Sequence, residues 1–95
     1  MYVLALEVDL RLPHSQSLKD KRQILRHLLD SSRSRFGVSS AEVGGQDTWQ
    51  RSQLGFAVVA STASKAEEII DSVERHVWSN PELEVLGVER TWLEL

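Results

Sequence analysis

The chain has 95 residues, 41% of them hydrophobic and 26% charged, with a formal net charge of −3. This is the composition of one ordinary globular domain, residues 1–95, with material for a single small core. The absence of cysteine excludes disulfides, thiolate metal sites and cysteine nucleophiles, and no apolar stretch approaches the ~20 residues that a membrane-spanning helix needs.

Tyr2 to Leu12 alternates, with Leu4, Leu6, Val8, Leu10 and Leu12 on one parity and Val3, Ala5, Glu7, Asp9 and Arg11 on the other. Period two predicts a strand whose even face is buried. Pro13 ends it, since proline cannot donate to a ladder. Glu7 and Asp9 interrupt the apolar run and no basic segment precedes it, so the stretch does not read as a secretory signal. Ser17 is placed as a helix N-cap, with Asp20 three residues on as a short version of the capping-box acid. Leu18, Ile24, Leu25, Leu28 and Leu29 follow at helical spacing, predicting a helix to about Arg35 closed by a left-handed Gly37. A second strand is expected over Val38 to Val43. Its parity is unsettled, because Val38 goes with Ser40 while Ala41 goes with Val43. Gly44-Gly45-Gln46-Asp47 signals a turn, and Thr48 to Ser52 reads as a polar connection carrying Trp49.

The third strand runs from Gln53 to Ala60, with Leu54, Phe56, Val58 and Ala60 inward. Thr62 and Ser64 compete to cap a second helix. Its apolar stripe is Ala66, Ile69, Ile70, Val73 and Val77, and Asn80-Pro81 breaks it. The last strand is Glu84 to Leu93. The order β-α-β-β-α-β predicts an α+β, ferredoxin-like fold: a four-stranded antiparallel sheet with both helices on one face.

Between Ser17 and Arg35, Lys19, Lys21, Arg22, Arg26, Arg33 and Arg35 are answered only by Asp20 and Asp30. Lys19, Arg22, Arg26 and Arg33 fall near one line of the helix. This is either a partner-binding face or a solvated one in which Asp30 pairs with Arg26. The second helix carries Glu67, Glu68, Asp71 and Glu74 against Lys65 and Arg75, so the two helices have opposite charge. The outward sheet positions hold no aromatic ring of the kind that stacks RNA bases. Val3, Ala5, Ala57 and Val59 there form a small apolar patch suited to a second copy of the chain. Glu42, Asp47 and Trp49 concentrate around the Gly-Gly turn as a second polar surface, or serve turn geometry and rim packing. The pair of glycines lacks the rest of a phosphate loop. Trp78 and Trp92 read as core or rim packing. His14, His27 and His76 are scattered with no metal-type spacing, and Ser15, Ser17, Ser39 and Ser40 stand in no nucleophile elbow. No catalytic residue, metal or cofactor is therefore assigned.

Taken in order, Ser17-Leu18-Lys19-Asp20-Lys21-Arg22, Phe36-Gly37-Val38-Ser39-Ser40-Ala41-Glu42, Gln46-Asp47-x-Trp49-Gln50-Arg51 and Leu54-Gly55 resemble the YlxP-like family of small bacterial proteins of unknown function. The family pattern usually has Asn where Gly37 stands and an apolar residue at Ser40. The resemblance runs nearly end to end. It implies a ferredoxin-like fold, a cytoplasmic location, and a gene neighbourhood of translation and ribosome-maturation factors. It carries over no enzymatic activity. It marks Lys19, Lys21, Arg22, Glu42, Asp47 and Trp49 as the expected functional surface. The expectation is a non-enzymatic accessory protein that meets rRNA or a ribosome-assembly protein through Lys19, Lys21, Arg22, Arg26 and Arg33. The alternative is a homodimeric or larger homo-oligomeric module for protein interaction or small-ligand sensing. No membrane role is expected.

Overall fold

A computed structural model of the chain describes residues 1–93. The alternation at the N-terminus becomes strand β1 (Tyr2–Arg11), with Leu4, Leu6, Val8 and Leu10 all buried. Helix α1 (Leu18–Phe36) starts where Ser17 Oγ accepts the Asp20 amide at 3.1 Å. Asp20 reaches back to the amide of Gln16, one residue before the cap. The helix stops at Gly37, whose φ of 68° lies in the left-handed region that glycine enters without a Cβ penalty. Strands β2 (Ser39–Gly44) and β3 (Arg51–Ala60), helix α2 (Ala63–Trp78) and strand β4 (Glu84–Leu93) complete the order. Thr62, not Ser64, caps α2, accepting the Lys65 amide at 3.1 Å. All pairings are antiparallel and the sheet order is β2-β3-β1-β4, with the helices on one face: the ferredoxin-like arrangement.

The core lies between that sheet face and the helices. Leu54, Phe56 and Val58 of β3 join the β1 leucines, and Leu25 and Leu28 of α1 and Ala66, Ile70, Val73 and Val77 of α2 close over them. The third strand starts earlier than the sequence suggests, because Ser52 continues the inward parity and is fully buried while pairing with Leu10. The parity of β2 is unbroken from Ser39 to Val43, and a bulge falls between Glu42 and Gly44. Ser40 and Glu42 face the helices, opposite Phe56 and Leu54, and Ala41 lies on the open face opposite Gly55. Gly55 leaves room for its neighbour: a Cβ there would meet the Val43 methyl at 3.0 Å, so that side chain would have to shift. Ser40, polar where the family pattern is apolar, stitches β2 to α1 by donating to the Leu29 carbonyl.

Strand β4 also bulges, opposite Asp9 and Leu10. Above the bulge Val88, Arg90 and Trp92 share the helix side with Val8, Leu6 and Leu4. Helix α2 packs mainly over β1 and β3, so β4 stays exposed on both faces over most of its length. Trp92 rests edge-on against Tyr2, a rim contact with ring centroids 6.3 Å apart. Trp78 departs from the packing expected of it. It is 59% exposed, because it stands a quarter turn beyond Val77, the last buried residue of the α2 stripe.

Candidate functional site

The cationic run of α1 divides into three groups. Lys19, Arg22 and Arg26 are exposed and hold no ion pair among the described residues. Arg33 is exposed but its guanidinium is committed. Its guanidinium pairs with Asp30 at 2.8 Å and donates to the Ser40 carbonyl at 2.6 Å. Asp30 therefore answers Arg33 rather than Arg26, and the bond covers a backbone acceptor of β2, an edge strand. Arg35 lies over the Phe36 ring and against His76. Lys21 is not a surface residue at all, which corrects its place among the partner contacts. It is 2% exposed, because it lies on the inner stripe with Leu25, Leu28 and Ser32. Arg22, Arg26 and Arg33 with Leu25, Leu29 and Glu42 line a groove of about 370 Å³ between α1 and β2.

The Lys21 ammonium joins the two surfaces that the sequence leaves separate. Nζ donates to the carbonyls of Gly45 (2.5 Å) and Thr48 (2.6 Å) and lies 2.8 Å from Glu42 Oε2. An ammonium has three N–H bonds and here each has an acceptor. Glu42 Oε2 also accepts the buried Ser52 hydroxyl at 2.6 Å. The β2–β3 loop is fastened further by Thr48 N to Gly45 O, Leu12 N to Gln50 O, and Gln50 Nε2 to Ser15 O. Gly45, at φ 74°, turns the chain so that its carbonyl meets Lys21. Glu42 is thus a half-buried counter-ion rather than a surface ligand group. Asp47 and Trp49 remain exposed on the tightened loop, Trp49 at 49%. Sequence reasoning misses the role of Lys21, although its i, i+4, i+7 relation to Leu25 and Leu28 carries the signal.

Elsewhere, the open sheet face divides in two. One half is crossed by the pairs Arg11–Glu84 and Arg51–Asp9. The other holds Val3 and Val59 and, beside them, a shallow depression of about 490 Å³ lined by Ala5, Ala57, Ala41 and Val43 together with Glu7 and Glu89. On the opposite side, His14, His27 and His76 converge on one cleft of about 620 Å³ between α1 and α2, with Asp20 and Glu82. Among the described residues no three His, Cys, Asp or Glu side chains are arranged to hold a metal ion. His76 Nδ1 lies 3.2 Å from the Arg35 guanidinium and its Nε2 lies 2.7 Å from Ser31 Oγ, which donates to the Leu28 carbonyl. With Arg35 as the donor, Nδ1 is the acceptor and Nε2 carries the proton. Burial, then the charges of Arg35 and His27, hold the His76 pKa below its ordinary 6.5. The acidity of α2 is partly neutralised, since Arg90 of β4 pairs with Asp71 at 2.8 Å and Glu74 at 3.3 Å.

These features sit on a ferredoxin-like α+β domain, and comparison with known proteins places it in a family. Residues 3–90 match the model of the family described as "Protein of unknown function (DUF503)". The chain is 38% identical over 76 residues to the uncharacterized protein YlxP of Bacillus subtilis, covering 80% of this chain and 83% of that one. The chain belongs to this YlxP-like family of unknown function. Among solved structures, a de novo designed protein with a ferredoxin fold, LFR1 1, is similar over 100% of this chain and 88% of its own, with TM-score 0.55 and 16% identity. That likeness concerns the fold alone. No helix among the described residues is long and apolar enough to cross a membrane.

Two predictions follow from the geometry of Lys21 and His76. Lys21→Met leaves Glu42 without its cation and two loop carbonyls without their donor, so it is expected to cost about 3 kcal/mol of stability, as broken buried pairs do. Urea unfolding at neutral pH measures this, and a loss under about 1 kcal/mol contradicts the role given to Lys21. For His76, the native state binds the proton less readily than the unfolded chain. Its contribution to stability is therefore whole above pH 6.5 and declines as pH falls through 6.5 towards the native pKa. Proton NMR titration of the imidazole is expected to give a midpoint below 6.5 that rises in Arg35→Ala.

Proposed function

We propose that this protein is a non-enzymatic accessory protein of the bacterial cytoplasm that binds ribosomal RNA or a ribosome-maturation partner through α1. The observation that carries this reading is the trio Lys19, Arg22 and Arg26. They are three exposed cations with no ion pair among the described residues, on about 10 Å of one helix face. Charges already satisfied within the molecule offer little to a phosphate, whereas free ones release counter-ions from it. Arg33 contributes to the local field but is tied to Asp30, and Lys21 acts from inside. The genomic setting implied by the family resemblance points to the same partner. In a chain of net charge −3 the trio supplies orientation: an approaching polyanion is drawn to one face and repelled by the rest.

Affinity for ribosomal RNA fragments, measured by filter binding, is expected to fall roughly 20- to 40-fold for a fourfold rise in salt, the response of about three phosphate contacts. Charge reversal at Arg22 and Arg26 together is expected to abolish binding. A flat salt response, or unchanged binding in that double variant, removes the proposal.

A second reading, a homo-oligomeric interaction module, is favoured by the apolar half of the open sheet, where Val59 is 64% exposed beside Val3, Ala5 and Ala57. Strand β4, unpartnered along its outer side among the described residues, offers a further edge. Sedimentation equilibrium is expected to show a dimer that dissociates in Val59→Glu. A monomer across the concentration range ends this reading.

A further inference from the structure

The Gly45–Gln50 loop poses a physical question. All of its residues are exposed, yet a buried ammonium is committed to holding it. A surface turn can satisfy its carbonyls with water, and desolvating a charge is costly. What the arrangement achieves is a fixed loop shape, with Trp49 presented half in water. The loop is held to the first turn of the basic helix: the carbonyl of Thr48, one residue before Trp49, is 2.6 Å from the Lys21 ammonium, one residue before Arg22.

Resting on the RNA reading above, we infer that this loop completes the α1 surface as a site for single-stranded RNA, in which successive phosphates meet Lys19, Arg22 and Arg26 and an unpaired base stacks on Trp49. Positive grooves combined with aromatic platforms are how proteins hold single strands without reading sequence. A base inside a duplex has no free face to offer, so the platform selects unpaired segments. The other exposed tryptophans are poor candidates. Trp92 stands two residues from Arg90, which is occupied by Asp71 and Glu74 of the acidic helix. Trp78 closes α2, at the end where the helix dipole disfavours anions. The open sheet face carries no ring among the described residues. Asp47, exposed on the same loop, repels phosphate from the tip and leaves it to the base.

The test is fluorescence anisotropy with a labelled single-stranded RNA oligonucleotide and with its duplex, at several salt concentrations. Trp49→Ala is expected to weaken single-strand binding about tenfold, the range of one lost base stack. Its salt dependence and its affinity for duplex should match those of the unaltered protein, and Trp49→Phe should retain most of the binding. Arg22→Glu is expected to weaken both ligands. A second readout guards against misfolding of the alanine variant: single-stranded RNA should quench the tryptophan emission of the unaltered protein and not that of Trp49→Phe. Equal single-strand binding by Trp49→Ala, or equal quenching in Trp49→Phe, overturns this inference while leaving the RNA reading intact. No binding of any RNA by the unaltered protein overturns both.

Discussion

The Lys21 ammonium meets three acceptors with its three N–H bonds, and both the loop and the basic face depend on that contact. Apolar residues in place of both Lys21 and Glu42 would suit the space between helix and sheet at least as well for stability, although losing Lys21 alone strands the carboxylate. Buried ion pairs commonly contribute less than the apolar residues that might replace them. What an apolar side chain cannot do is direct a neighbouring backbone. Lys21 selects one conformation of the β2–β3 connection from the many an exposed loop of Gly, Gln, Asp and Thr can adopt. Glu42 supplies the counter-charge from β2, and Ser52, buried on β3, bonds the same carboxylate oxygen. Helix, edge strand, inner strand and loop thus share one polar junction, and no buried side-chain nitrogen or oxygen among the described residues is left without a partner.

That junction also explains which part of the molecule could be read from sequence. Period-two alternation locates β1 and β3, and the Ser17 and Gly37 caps bound α1, because these signals are local. The β2 parity conflict between Val38 and Val43 is resolved without a bulge between them: Val38 is buried and Val43 stays with Ala41 on the open face, while the bulge falls beyond Glu42, where pairing with β3 sets it. Lys21 is misplaced by sorting residues by charge before sorting them by angle. With Leu25, Leu28 and Ser32 it forms the inner face, and its acceptors lie more than twenty residues away. The bond from Arg33 to the Ser40 carbonyl and the pairing of Arg90 with Asp71 and Glu74 are likewise set by tertiary geometry, whereas Arg33–Asp30 is a local i, i+3 pair. The exposure of Trp78 and β4 follows from where α2 leans, which no periodicity records.

The charge pattern that survives folding is narrower than the composition suggests. Of the six basic residues between Ser17 and Arg35, one is buried and two have partners, while the acidic surplus of α2 is reduced by Arg90. Three cations with no ion pair among the described residues give a weak, short-range attraction that salt screens over about 10 Å. In an acidic protein so small a patch cannot secure a polyanion by charge alone. Under the RNA reading, discrimination must therefore come from something of fixed shape next to the charges, and the loop held by Lys21 is the feature at that position. Rigidity matters there because an aromatic platform ordered before binding loses little entropy when a base arrives. The ammonium inside the fold and the three outside it then have distinct duties: the first sets the geometry, and the others supply the attraction.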